Sequence, residues 1–291
     1  MYHDVLIPTD GSAGVDAAVS HGIDLARISQ ATIHALFVVD TGIESEDLGD
    51  DGRTELRTLG EQRGRKATDV IQAAADDYDL TTISEIRTGI PYRTIVDYVD
   101  EQNIDLVVMA TLGQAGPIFG QLGSTTERVI TLADVPVLAV HPGADGEVPL
   151  EYTRYNHVVV PTDGSDVAER AAARALDLAE HYGADVHVVY VIDTTTYDLQ
   201  DTPRSIVGLL KEGGQNAVAA IAADARERNL PVTTDVLRGS PEGKILEYAD
   251  GVDADLLVMG TRGFGAAPDR LLGSTTARVL RETETPVLTV S

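Results

Sequence analysis

The chain of 291 residues contains no cysteine, so neither a disulfide framework nor thiol chemistry is open to it. Positive charge is scarce. Twenty-two Lys and Arg stand against 47 Asp and Glu, for a net charge of -25 and a sequence pI of about 4.4. That balance argues against nucleic acid or an anionic membrane surface as a partner. Lysine is scarcer still, limited to Lys66, Lys211 and Lys244, and the acid is spread along the chain without forming one tail. This is the composition expected of a protein kept soluble in a halophilic cytoplasm, such as that of a halophilic archaeon. No apolar run approaches the roughly 18 residues of a membrane span. Strand-like residues follow Met1 directly and leave no room for a signal peptide, so a cytoplasmic protein is expected. Zinc signatures and a G-x-S-x-G nucleophile elbow are missing, and no general base is evident at the loop described next, which argues against an enzyme.

What is present centres on Met259 to Ser274, MGTRGFGAAPDRLLGS: an apolar strand end, a glycine-rich loop and a helix start. Gly260 and Gly263 permit a tight turn without a Cβ, and Gly273-Ser274 opens a helical pattern whose first backbone N–H groups lack intrahelical acceptors. Such a start holds phosphate with few side chains. Two better-known phosphate loops fail here. The one Gly-Lys pair, Gly243-Lys244, has Arg238 where a Walker A loop needs its first glycine and Ile245 after the lysine. A dinucleotide fingerprint beginning at Gly263 and Gly265 meets Pro268 at its third glycine position. What remains is G-x2-G-x9-G-S, from Gly260 through Gly263 to Gly273 and Ser274.

The chain repeats itself. YHDVLIPTDGS at Tyr2 to Ser12 returns as YNHVVVPTDGS at Tyr155 to Ser165, and IDLVVMATLG at Ile104 to Gly113 returns as ADLLVMGTRG at Ala254 to Gly263. Each copy is of ordinary domain size, and an apolar content of 43% suffices for two cores. His141 to Arg154, HPGADGEVPLEYTR, has Pro, Gly and charge without a period. The expected organisation is therefore a domain over residues 1–142, a linker over 143–154 and a second domain over 155–291.

In the first copy, strands are expected at Asp4 to Thr9, Thr32 to Val39, Thr82 to Arg87, Asp105 to Met109 and Pro136 to Val140. Ser12 should cap a helix from Ala13 to Ile28, and an acidic surface loop, Glu44 to Asp51, should precede a long helix from Thr54 to Asp77. Pro91 should open a further helix. The second copy follows the same plan. Alternating β and α elements specify an α/β fold, here two tandem doubly wound parallel five-stranded sheets of Rossmann-like or flavodoxin-like type. Ligands on such sheets bind at the carboxyl ends of the strands where the order reverses, so the loops after strands one and four should meet there.

The loop spacing and the doubling together resemble the universal stress protein family in its tandem, ATP-binding form. That resemblance implies the adenine nucleotide alpha hydrolase-like fold, with ATP as the ligand and a role as a nucleotide-dependent regulatory or stress-response protein. It implies that Pro161, Thr162 and Asp163 close over adenine and ribose, with Val191 against the base. Gly260, Gly263, Gly273, Ser274 and Thr275 would hold ribose and phosphates, with Met259 and Arg262 completing the set. The matching residues of the first copy are Pro8, Thr9, Asp10, Val38, Met109, Gly113, Gly123, Ser124 and Thr125. The resemblance also implies that the two copies form an intramolecular pseudo-dimer, related by a pseudo-two-fold axis through their last strands. Further association of chains is left open.

The first copy departs in three places: Ala110 stands for Gly260, Leu112 for Arg262 and Gly120 for Arg270. An alanine costs little at negative φ and obstructs the turn or the ribose at positive φ. Two cations near the phosphates are missing, so the second site is expected to bind ATP more tightly. Asp10 and Asp163 also read as turn residues or helix-start acceptors, and Asp40 and Asp193 as strand-end caps. His34 and His187 read as structural, without metal-ligand spacing. Two alternatives stay beside the regulatory reading: a slow ATP hydrolase or phosphotransferase using the same site with Mg2+, and a nonbinding paired scaffold.

Overall fold

A computed structural model describes residues 2–41, 50–113, 121–141, 154–194, 204–263 and 272–291. Gly120, Arg270, the linker up to residue 153 and residues 44–49 of the acidic segment lie outside these. The chain divides into two compact units, Met1–Thr153 and Arg154–Ser291.

In the first unit the elements are β1 (Asp4–Thr9), α1 (Asp16–Ser29), β2 (Thr32–Asp40), α2 (Asp50–Asp76), β3 (Thr82–Gly89), α3 (Pro91–Gln102), β4 (Leu106–Ala110), α4 (Ser124–Leu132) and β5 (Val137–Val140). All strand pairs are parallel, in the order β3-β2-β1-β4-β5. The second unit repeats this as β6 (His157–Thr162), α5 (Asp166–Tyr182), β7 (Asp185–Asp193), α6 (Arg204–Glu227), β8 (Val232–Gly239), α7 (Pro241–Gly251), β9 (Leu256–Gly260), α8 (Ser274–Glu282) and β10 (Val287–Val290). Its order is β8-β7-β6-β9-β10. The central strands carry continuous apolar runs because helices cover both faces of a parallel sheet. Val5, Leu6 and Ile7 of β1 and Leu106, Val107 and Val108 of β4 are all fully buried, as are Val158, Val159 and Val160 of β6. Helix α1 lies against β1 and β4 and buries Ala17, Ala18, Leu25 and Ala26.

Two expectations need correction. Ser12 does not cap α1: a 3-10 turn over Ala13–Val15 comes first, and the Val15 amide goes to the Ser12 carbonyl at 3.2 Å, leaving the hydroxyl without a capping bond. Ser165 does cap α5, its hydroxyl accepting from the Ala168 amide at 3.3 Å. Helix α2 begins at Asp50 and not Thr54, taking in the end of the acidic segment. A carboxylate at a helix N-terminus complements its partial positive charge, so Asp51 favours the helix where net polarity suggests a loop. Among the described residues no helix is long and apolar enough to cross a membrane.

Candidate nucleotide site

In each unit the strand order reverses between the first and fourth strands, opening a crevice at their carboxyl ends. On one side is the turn after β1. The Gly11 amide donates to Thr9 Oγ1 at 3.1 Å, and the Ser12 amide to Asp10 Oδ1 at 2.9 Å. Gly11 has φ +71°, so the turn requires glycine. The second copy reproduces it: Gly164, φ +77°, donates to Thr162 Oγ1 at 3.2 Å, and Ser165 to Asp163 Oδ1 at 3.0 Å. The turn-residue reading of Asp10 and Asp163 therefore holds for one carboxylate oxygen.

The other oxygen faces the loop after the fourth strand. A Cβ placed on Gly113 would lie 2.5 Å from Asp10 Oδ2, and one on Gly263 would lie 2.5 Å from Asp163 Oδ2. The two loops thus meet in both copies, and the glycine is needed for space. None of Gly113, Gly123, Gly260, Gly263 or Gly273 has positive φ.

The loop is closed on itself by backbone bonds. Gly123 N donates to Thr111 O at 2.7 Å, Thr111 N to Val140 O at 2.8 Å, and Thr126 Oγ1 to Ala110 O at 2.8 Å. Gly273, Thr261 and Thr276 make the same three bonds at 2.7, 2.8 and 2.8 Å to Thr261, Val290 and Gly260. These bonds bring the start of the glycine spacing to its end, so α4 and α8 begin beside the Asp10 and Asp163 turns. Within each helix the first i→i−4 bond is made by Glu127 to Gly123 and by Ala277 to Gly273. The amides of Ser124, Thr125 and Thr126, and of Ser274, Thr275 and Thr276, precede that bond and lack intrahelical acceptors. A helix start of this kind attracts anions.

The expected ligand residues fall into two groups. Pro8, Thr9, Met109, Pro161, Thr162 and Met259 are buried in the strands and shape the crevice from below. Asp10, Val38, Gly113, Gly123, Ser124 and Thr125 reach the surface in the first copy. Their counterparts are Asp163, Val191, Gly260, Arg262, Gly263, Gly273, Ser274 and Thr275. Val38 and Val191 lie one residue beyond Phe37 and Tyr190, the register partners of Thr9 and Thr162, and so beside the Asp10 and Asp163 turns.

The Ala110 departure has a local explanation. A Cβ on Gly260 would lie 2.8 Å from Val167 Cγ1 in the first turn of α5. The residue matching Val167 in the first copy is Gly14, which has no side chain to collide with. The first copy thus pairs alanine with glycine where the second pairs glycine with valine, and neither Ala110 nor Gly260 has positive φ. The Leu112 departure does change the site, since Leu112 is buried whereas Arg262 is partly exposed.

Two features escaped the sequence reading. A Cβ on Gly11 would lie 3.8 Å from Arg63 Nε and 3.4 Å from Ala67 Cβ, so Arg63 on α2 reaches the first-copy turn. At the second turn Ala217 takes the place of Ala67, and Gly213 matches Arg63. Aligning α2 on α6 through Gly64 and Gly214, which sit against the Phe37 and Tyr190 rings, would have found it. The second feature is Glu127, an acid in the first turn of α4 for which α8 has none.

The strand histidines serve packing. His34 is buried, with Nδ1 2.9 Å from the Tyr98 hydroxyl and Nε2 3.1 Å from Asp4 Oδ1. His187 Nδ1 lies 3.3 Å from the Tyr248 hydroxyl, and burial and the neighbouring His157 hold the pKa of His187 below its usual value. Tyr248 donates to Asp235 at 2.9 Å, and burial first, then this bond, pushes the phenol well above its usual range. Among the described residues no cluster of three His, Cys, Asp or Glu is placed to hold a metal ion.

The model of the universal stress protein family matches residues 1–141 and again 154–291. A universal stress protein of Methanocaldococcus jannaschii is 38% identical over 139 residues, covering 47% of this chain and 82% of that protein. One of Mycolicibacterium smegmatis is 28% identical over 302 residues, covering 99% of this chain and 97% of that one. The crystal structure of a universal stress protein from Archaeoglobus fulgidus, at 22% identity, has the same fold, with a TM-score of 0.70 over 99% of this chain and 96% of its own. With both halves matched and the α/β architecture repeated in each, the chain belongs to the universal stress protein family as two of its domains in tandem.

Proposed function

We propose that this protein binds ATP at the carboxyl ends of its sheets and acts in the cytoplasm as a nucleotide-dependent regulator. The observation that carries this reading is the meeting of Asp163 Oδ2 with Gly263 beside the open N-terminus of α8, repeated by Asp10 and Gly113 beside α4. The carboxylate suits ribose hydroxyls, the helix start suits phosphate, and Val191 or Val38 offers an apolar surface to the base.

The second site is the tighter in this reading. The first site has Arg63 from α2 at the Asp10 turn, but its loop carries no cation and Glu127 opposes phosphate in the first turn of α4, whereas the second loop carries Arg262 and the first turn of α8 holds no acid. A charge-assisted contact from Arg262 contributes roughly 1.5–3 kcal/mol, or about tenfold or more in affinity. Protein purified in high salt, denatured and analysed for released nucleotide should yield ATP, and Arg262→Leu should weaken ATP about tenfold while leaving adenosine binding unchanged. No nucleotide, and no uptake of added ATP with Mg2+, would sink the reading in favour of the scaffold. Phosphate release by the wild type but not by Gly263→Val would favour the hydrolase. The acidic surface is read as adaptation to high salt, so the melting temperature should rise in molar KCl.

A further inference from the structure

A second feature lies away from the crevice, at the outer edge of the second unit. A cavity of about 440 Å3 runs between one stripe of α6 and strand β8. Lys211 and Arg226 stand at the ends of the stripe, with Val218 and Ala222 between them. Strand β8 contributes Thr234, Asp235 and Val236. Consecutive strand residues point to opposite faces, so a cavity touched by all three passes the side of the strand and not over one face. That side is open: β8 pairs with β7, and among the described residues nothing pairs with its other edge.

The charges here run against the rest of the molecule. Lys211 and Arg226 are exposed and make no ion pair among the described residues, although Arg226 also complements the C-terminus of α6. The one carboxylate of the lining, Asp235, accepts from the Tyr248 hydroxyl at 2.9 Å. The first copy is an internal control. The residues matching Lys211 and Arg226 are Glu61 and Asp76, and those matching Ala219 and Asp235 are Asp69 and Glu85; among the matched positions Arg65 alone is a cation, 4.0 Å from Glu61, while Arg57 and Arg87 pair with Glu61 and Glu85 at 3.1 and 2.8 Å. The same groove is thus acidic in one copy and cationic at both ends in the other.

From this we infer that the α6–β8 groove is a docking site for an extended acidic segment of a partner polypeptide, which adds beside β8 and sets carboxylates against Lys211 and Arg226. Fifteen helical residues at about 1.5 Å each separate the two cations by roughly 22 Å, too far for one small anion to bridge. An extended chain covers that distance in about seven residues. Edge addition supplies main-chain hydrogen bonds, and the two cations select carboxylates at the ends. The protein's excess negative charge repels acidic partners at long range, but that field fades within about 8 Å at about 0.15 M salt and about 3 Å at about 1 M, so a seated segment feels chiefly the groove.

The test uses the full chain and a fluorescein-labelled seven-residue peptide with aspartate at each end and alternating valine and threonine between, followed by fluorescence polarisation. One peptide should bind per chain, and the same peptide with asparagine ends should bind at least tenfold more weakly. Lys211→Glu combined with Arg226→Asp, exposed changes that copy the first unit, should also weaken it at least tenfold without altering bound nucleotide. Peptide methylated on alternate backbone amides should not bind. Failure of the wild type to bind, equal binding of the asparagine peptide or by the double variant, or two peptides per chain would each overturn the proposal. So would a doubling of mass in light scattering that the double variant abolishes, because the occupant would then be a second copy of this chain.

Discussion

At the Asp10 turn a cation arrives from outside the loop, on α2, as Arg63; at the Asp163 turn the matched residue is Gly213 and the cation stands in the loop itself, as Arg262. The scaffold beneath is the same in both units, down to the 2.7 Å closure of each loop and the 2.5 Å spacing that keeps Gly113 and Gly263 free of a side chain. Duplicated domains can therefore hold backbone geometry constant while charge moves between elements. Where the second copy sets Gly260 against Val167, the first has Ala110 and Gly14 at the matched positions.

The severest test of the shared scaffold is Gly263→Val. A side chain 2.5 Å from Asp163 Oδ2 displaces the carboxylate and fills the crevice, so second-site affinity should fall more than about a hundredfold, some 2.7 kcal/mol or more. Calorimetric titration checks this, and Gly113→Val should act on the first site alone. Next comes Gly260→Ala, which sets a methyl 2.8 Å from Val167 Cγ1 and should destabilise the protein by about 1–2 kcal/mol in denaturant unfolding. Adding Val167→Ala should recover most of that loss; without recovery, the compensation between Gly14 and Ala110 is not the reason for the alanine.

A third difference is one of pH. Burial pushes His21 on α1 down to about 4, whereas the matched residue in α5 is Arg174. A histidine held neutral in the fold binds a proton more readily when unfolded. Its contribution is therefore complete above the unfolded value near 6.5 and is lost as pH falls from there to about 4. The loss should be on the order of 2 kcal/mol after discounting for partial exposure. Denaturant unfolding at pH 7 and pH 4.5 should show His21→Gln less pH-sensitive than the wild type. The smallest effect is expected of Glu127→Ala, which removes an acid from the first turn of α4 and should tighten ATP at the first site by about 0.3–1 kcal/mol, or roughly two- to fivefold. The reciprocal Ala277→Glu should weaken ATP at the second site by a similar factor, and no change there would break the comparison.

Much of this could be read from the chain. The apolar runs at β1, β4, β6 and β9 announce strands covered on both faces, and the alternation of elements dictates the parallel sheet. Asp10, Gly113 and Ser124 follow from the family resemblance carried across the repeat, and the fold gathers them at one crevice. Arg63 was missed because nothing within its own helix marks it. It belongs to the site only through the packing of Ala67 and its own side chain on Gly11. Ser12 misled because a capping serine and one preceding a 3-10 turn have the same local sequence.

The sequence by itself determined the tandem repeat, the α/β class and the glycine spacing, since these rest on periodicity and on the stereochemistry of single residues. Tertiary structure decided which turn glycines answer to φ and which to space, and set Gly260 against Val167. It also brought Arg63 to the first turn and set Lys211 and Arg226 at the β8 edge without an ion pair among the described residues. Each of these depends on contacts between residues far apart in the chain, and such contacts exist only once the helices have packed on the sheet.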